Sequence, residues 1–255
     1  MKKFLFFLII VGLTLFLIVG CTPTTPAEGE GEGEGEGEGE GEVTRVVMVE
    51  IFSQLGCAYC EIAEPILEQL AEEYNREEMI LVEERAYGLY STNEIFNRYQ
   101  WYFPNSADRS TPNILFNGLN QRIHHTSTTY NMVKGKIQIE LAKEPKIKIS
   151  AIRDSYAGSN TISGTIKNID SSALTNLEIN MMTFKDLNQV GLKYCVMDIL
   201  EEQKVSITSL ESGDSYSFSF SIDDLYWEGN NIHGVIFVQK TDSSTKEILQ
   251  SFYID

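Results

Sequence analysis

Basic residues are scarce. The chain carries 20 Lys and Arg against 37 Asp and Glu, a formal net charge of −17 over 255 residues. A surface of that sign repels a phosphate backbone, and no basic stripe or alternation of aromatics with arginine offsets it, so nucleic acid is excluded as a partner. Histidine is scarcer, with three in all. His124 and His125 are adjacent, and neighbours on a strand point to opposite faces, a poor arrangement for chelation; it disfavours a copper-handling role in which they would join Cys57 and Cys60. His233 stands alone and reads as structural. Long apolar runs are confined to the start of the chain.

That start is Lys2-Lys3, an apolar run from Phe4 to Val19, then Gly20-Cys21, the pattern of a secretory leader. The ending Ile18-Val19-Gly20-Cys21 resembles the bacterial lipoprotein box, which implies cleavage after residue 20 and acylation of Cys21. Several acyl chains anchor a protein stably where one does not. Thr22 in place of an acid after Cys21 favours an outer membrane by the same resemblance. An uncleaved membrane helix is the alternative, and the run is short for a span of ~17–25 residues. Residues 21–42 are Thr/Pro-rich and then a Gly-Glu repeat with eight glutamates between Glu28 and Glu42. They offer no large apolar side chain and read as an unfolded tether, ~25 Å long as a coil and up to ~70 Å stretched. Setting aside those glutamates and the two leader lysines leaves 29 acidic and 18 basic residues, net −11. The remainder is long enough for one large domain or two of ~100 residues.

The informative stretch is CAYCEIAEPILEQLAEEY, residues 57–74. Ile62, Ile66, Leu67, Leu70 and Tyr74 form a stripe of helical period, and Glu61, Glu64, Glu68, Glu72 and Glu73 fall mostly on the other side. Before it, Val43–Phe52 is β-branched and nearly continuously apolar, as suits a strand buried on both faces. Ser53 to Gly56 turn the chain. Strand, loop and helix together place Cys57 where free backbone N–H groups and the positive helix end converge. A thiolate is stabilised there, and the thiolate is the form that attacks disulfides.

These residues resemble the thioredoxin superfamily. Pro65, five residues after Cys60, matches the proline that kinks the family's active-site helix, although an interior helix proline costs ~3 kcal/mol. Ser110-Thr111-Pro112-Asn113 followed by Ile114-Leu115-Phe116-Asn117-Gly118 is similar to the family's cis-proline strand and terminal hairpin. The resemblance spans roughly 43–142. It implies that Cys57 attacks, that Cys60 resolves, that Pro112 lies against the Cys57 sulfur and that Thr111 offers backbone hydrogen bonds to a bound polypeptide. Glu50 resembles the buried strand acid that relays a proton to the inner cysteine. The match departs in two places: Gly56 precedes Cys57 where a tryptophan is common, and the strand-to-cysteine spacing is one residue longer, which unsettles the alignment of Glu50. The dipeptide Ala58-Tyr59 looks more like disulfide isomerases or glutaredoxins.

Further along, Met79–Ala86 reads as a second, parallel strand and residues 91–102 as a helix. The aromatics Tyr87, Tyr90, Tyr99, Trp101, Tyr102 and Phe103 form either core and rim packing or the lining of a substrate groove. Asn117-Gly118 signals a tight hairpin, and a helix capped by Ser127 should run to about Ala142. Glu144-Pro145 ends it. From Lys146 the period becomes alternating, with strands at 146–149, 161–166, 174–184, 205–207, 216–222, 232–238 and 248–254. Seven short strands in ~110 residues fit an immunoglobulin-like sandwich. With Cys21 lipidated and Cys57 paired to Cys60, Cys195 is left over and reads as a buried small hydrophobe, the alternative being a resolving cysteine or an intermolecular disulfide.

The expected architecture is therefore a leader at 1–20, a lipidated tether at 21–42, an α/β thioredoxin fold at 43–144 and an all-β immunoglobulin-like sandwich at 145–255. The combination resembles envelope lipoproteins of the Omp28 type. That match adds architecture; the thioredoxin resemblance implies an extracytoplasmic thiol-disulfide oxidoreductase acting on protein thiols and disulfides, without metal or organic cofactor, reset by a redox partner and held to the membrane through Cys21. The alternative is a non-catalytic surface-binding lipoprotein in which Cys57–Cys60 is a structural bond.

Overall fold

A computed structural model describes residues 43–156, 159–223 and 232–255. The leader, Cys21 and the Gly-Glu tether lie outside the described residues. The chain from Glu42 to Asp255 forms one compact unit. The break at Glu144-Pro145 is a change of architecture inside it, from mixed α-helix and strand to strands with no further α-helix among the described residues.

The apolar run before the cysteines forms β1 (Val47–Gln54), and its first seven residues are buried. α1 (Ala58–Glu73) follows, then β2 (Met79–Tyr87), parallel to β1 with Val47 opposite Met79. α2 (Asn93–Tyr102) is capped by Thr92, whose hydroxyl accepts from Ile95 N. β3 (Asn113–Phe116) and β4 (Gln121–His124) form an antiparallel pair, and β3 lies antiparallel to β1. α3 (Tyr130–Leu141) is capped by Thr129, two residues later than the expected Ser127, and Thr129 accepts from Met132 N.

Eight further strands follow: β5 (Ile147–Tyr156), β6 (Ser159–Asn168), β7 (Leu174–Lys185), β8 (Cys195–Ile199), β9 (Val205–Leu210), β10 (Ser215–Asp223), β11 (Ile232–Lys240) and β12 (Ile248–Ile254). They do not close a sandwich of their own. The larger of two sheets has nine strands in the order β12-β11-β7-β8-β2-β1-β3-β4, with β9 paired to β7. The smaller has the order β10-β6-β5.

This corrects the expected fold class. Among the described residues the chain is predominantly strand with three α-helices, and it is not an α/β thioredoxin fold followed by an independent sandwich. The physical cause lies at β2, whose outer edge is taken by β8 through the pair Glu83–Cys195. β8 in turn pairs with β7, so one sheet runs through position 145. β7 and β11 show the consequence: Ile179 to Phe184 and Gly234 to Gln239 are consecutively buried, as in strands covered on both faces.

The two ends of the compact unit meet. Arg45 donates to the Ile248 and Leu249 carbonyls, Val46 N–H donates to Gln250 Oε1 at 2.9 Å, and Gln250 Nε2 donates to Thr44 O at 2.8 Å. The Asn-Gly junction joins the same seam. Asn117 and Gly118 adopt positive φ, 50° and 72°, but the turn is buried. Asn117 Oδ1 accepts from Met48 N at 2.9 Å, and Asn117 O accepts from Ile248 N. A Cβ at Gly118 would run into the Lys246 backbone, so glycine is required there by space as well as by φ.

Candidate functional site

Cys57 is the N-cap of α1, and its Sγ lies 3.3 Å from Cys60 N–H. It is bonded to Cys60, with Cα atoms 5.2 Å apart. Cys60 is fully buried while Cys57 is half-buried, so one sulfur of the pair is open to attack. Position, at the positive end of a helix, favours the Cys57 thiolate once the bond is reduced. Its Sγ faces the Thr111 carbonyl oxygen at 3.6 Å. The Thr111-Pro112 peptide is cis.

An open cleft of about 360 Å³ exposes this sulfur, lined by Gln54, Cys57, Tyr59, Tyr87, Thr111 and His125 among others. Tyr87 Oη donates to Arg109 O at 3.4 Å, and Arg109 itself donates to the Phe103 and Pro104 carbonyls. Of the aromatic concentration only Tyr87 lines the cleft; Tyr99, Tyr102 and Phe103 are buried with Phe52 and Leu115 in a core cluster. Core packing is thus what most of these rings do.

The buried face of α1 is Cys60, Ala63, Glu64, Leu67, Glu68, Leu70 and Ala71. It is rotated from the expected stripe, leaving Ile62 exposed and taking in two of the supposedly solvated acids. Glu64, one turn beyond Cys60, accepts from Arg85 Nη1 at 2.7 Å, and the same Nη1 reaches Ser53 Oγ at 2.8 Å. Glu68 Oε1 accepts from Gly191 N–H at 2.5 Å, and Arg85 Nη2 donates to the Gly191 carbonyl. Glu83 accepts from Tyr194 N–H at 2.9 Å. Burial outweighs these partners. It raises the pKa of Glu64 and of Glu68, pushes that of Glu83 up to about 8, and lifts the Cys195 thiol to about 12, with Glu83 adding to that last shift.

Glu50 lies elsewhere. Strand neighbours alternate between faces, and Ser53 and Arg85 mark the α1 side. Glu50 points to the α2 side, where Oε1 accepts from Arg98 Nε at 2.7 Å and Oε2 from Tyr102 Oη at 2.8 Å. Gln239 Nε2 reaches Tyr102 Oη at 2.7 Å. The expected relay acid is therefore bound into an arginine-tyrosine network, and no proton transfer to Cys60 is assigned to it. Beside it Glu84 is fully buried with neither carboxyl oxygen hydrogen-bonded among the described residues; burial and the nearby Glu50 hold its pKa well above the usual range.

The structure thus brings Cys57, Cys60, Thr111 and Pro112 together and sets Glu50 apart. His125 was not foreseen at the cleft. The chain bends at its left-handed backbone, φ 41°, so the two histidines escape the strict up-down alternation: His124 Nε2 lies 2.7 Å from Ser110 Oγ and His125 Nδ1 2.9 Å from Thr111 O. Burial, then Arg122 and His125, lower the His124 pKa. No group of three or more metal-ligating side chains occurs among the described residues. Nor is any described helix long and apolar enough to cross a membrane.

Fold and site together define a strand-rich chain with a Cys-x-x-Cys disulfide at a helix start. No family model matches the sequence, and no curated protein matches it. Among solved structures, HBP35 of Porphyromonas gingivalis is similar over 84% of this chain and 76% of its own, with a TM-score of 0.59 and 14% identity; the two share a fold. A domain of the outer membrane lipoprotein Omp28 from Porphyromonas gingivalis matches 44% of this chain and 88% of its own at 15% identity, but its TM-score of 0.31 is too low to bear on fold or function. The same holds for a β-glucuronidase of Bacteroides uniformis, at 42% and 12% coverage, 16% identity and a TM-score of 0.26.

Proposed function

We propose that this chain is a lipid-anchored protein of the cell envelope that exchanges disulfides through Cys57 and Cys60. The observation that carries the reading is a bonded cysteine pair with one sulfur buried and the other open at a helix start, facing a cleft. In the reducing direction the Cys57 thiolate attacks a substrate disulfide, forming a Cys57–substrate bond and releasing one substrate thiolate to take up a proton. Cys60, deprotonated, then attacks Cys57, releasing the second substrate thiolate and restoring the Cys57–Cys60 bond. Two electrons pass to the substrate, and a dithiol partner returns them. The oxidising direction is the reverse. Thr111 and Pro112 orient the substrate chain beside the sulfur. Neither metal nor organic cofactor takes part. The leader and Cys21 support the envelope location.

Equilibration of the full-length protein with glutathione tests this. The wild type should exchange reversibly, and Cys57→Ser should lose exchange with a protein disulfide by at least ~100-fold, since no other cysteine lines the cleft among the described residues. Full activity in Cys57→Ser would overturn the proposal. A second reading, a non-catalytic surface-binding lipoprotein with a structural Cys57–Cys60 bond, draws on one observation: none of β5–β12 contributes a residue to the cleft, so over 100 residues serve some other end. A wild-type bond that resists glutathione altogether would favour it.

A further inference from the structure

Thr111 O faces the open sulfur, and it is shared. Cys57 Sγ approaches it at 3.6 Å and His125 Nδ1 at 2.9 Å. A carbonyl oxygen only accepts, so Nδ1 must carry a hydrogen and donate it. The imidazole is further fixed by its own backbone N–H, which donates to Pro112 O at 2.9 Å, and by edge-on contact with Tyr59, ring centroids 5.2 Å apart. It therefore touches both the dipeptide between the cysteines and the loop facing them.

The position has a chemical consequence. In the reduced protein a Cys57 thiol would donate to Thr111 O, which favours the thiol, while a thiolate would face the oxygen's lone pairs and be disfavoured. By occupying that oxygen, an Nδ1–H donor weakens the first effect and offsets the second.

We infer that His125 is a positioning residue for disulfide exchange: its hydrogen bond to Thr111 O stabilises the Cys57 thiolate and thereby the reduced form of the pair. A stabilised reduced form makes the pair a stronger oxidant. The inference rests on the exchange function proposed above. The other charged and titratable groups around this sulfur are Tyr59 and Glu61 on α1, Tyr87 at the end of β2, Arg109 in the loop before Thr111, and His124 at the end of β4. Arg109 is bound to the Phe103 and Pro104 carbonyls and His124 to Ser110, whereas His125 bonds the atom that Cys57 meets.

The left-handed backbone of residue 125 suits asparagine and glycine, so His125→Asn and His125→Gly remove the ring without backbone strain. Asparagine keeps an N–H donor at the same branch of the side chain; glycine keeps nothing. The alkylation rate of Cys57, read by mass spectrometry of its peptide across pH in the reduced full-length chain, reports the thiolate fraction without any exchange activity. His125→Gly should lower that rate at pH 6 roughly five- to tenfold and shift the glutathione equilibrium toward the disulfide. His125→Asn should retain most of the wild-type profile. A His125→Gly profile coincident with the wild type, or His125→Asn as impaired as His125→Gly, overturns the inference. A wild type that ignores glutathione refutes the exchange function instead, while the alkylation profiles still report on His125.

Discussion

The two faces of the β1–β2 pair bury the same kinds of group and use them differently. On the α2 side Arg98 and Tyr102 both bond Glu50, and Gln239 adds a donor to Tyr102. That net runs on through Gln239 of β11, which accepts from Arg98 and donates to the Lys246 carbonyl. On the α1 side Arg85 joins Glu64 and Ser53 beneath Cys60 and continues through Gly191 to the loop before β8. Adjacent acids on one strand, Glu83 and Glu84, are sent one to each face. Glu83 finds the Tyr194 amide; Glu84 finds no hydrogen bond. Both nets tie the first half of the chain to the C-terminal part of the sheet, but only the α1-side net includes residues of the cysteine helix.

The comparison can be broken first at Arg98. Arg98→Leu leaves Glu50 buried and without its cation, and removing one partner of a buried pair costs about 3–5 kcal/mol. Urea denaturation should show a loss of that size, while Cys57 alkylation in the folded protein stays unchanged. Loss of Cys57 reactivity with stability intact would mean that the α2-side net serves the site after all.

Glu83 gives the next effect, through pH. Its folded pKa, about 8, lies above the unfolded value. The stability it lends is fully present below the usual carboxylate range and is lost as pH rises toward 8, at most about 1.4 kcal/mol per pH unit. Glu83→Gln should flatten the stability profile between pH 5 and 8, measured by urea midpoints, and an unchanged slope would show that Glu83 titrates normally. Tyr102→Phe is smaller, about 1–2 kcal/mol, for the lost donor to a buried carboxylate. Smallest is the cap of α3: Thr129→Ala should cost about 1 kcal/mol in the same measurement and Ser127→Ala almost nothing.

Much of the first half is legible in the sequence because its signals are local. A β-branched run, a Cys-x-x-Cys entering a helix and an Asn-Gly pair each name a structure within a few residues. The sheet order is not local. β8 escapes notice because Tyr194-Cys195-Val196-Met197 has neither the length nor the alternation of a strand, and its place is made by the free edge of β2. Yet Ile179-Asn180-Met181-Met182-Thr183-Phe184 carried a hint: a sandwich strand with one solvated face alternates, and this run does not. At the site, Glu50 was misplaced by parity. One extra residue before Cys57 moves an acid to the opposite face, and Ser53 and Arg85 hold the α1 face instead. His125 could not be found by strand geometry, since its own left-handed backbone ends the strand at His124.

The seam between Thr44–Met48 and Ile248–Gln250 orders events in time. During synthesis the cysteines leave the ribosome nearly 200 residues before the strand that Arg45 and Asn117 bind exists. Contacts of such separation close late. Cys57 and Cys60 therefore spend the life of the nascent chain without the finished sheet around them.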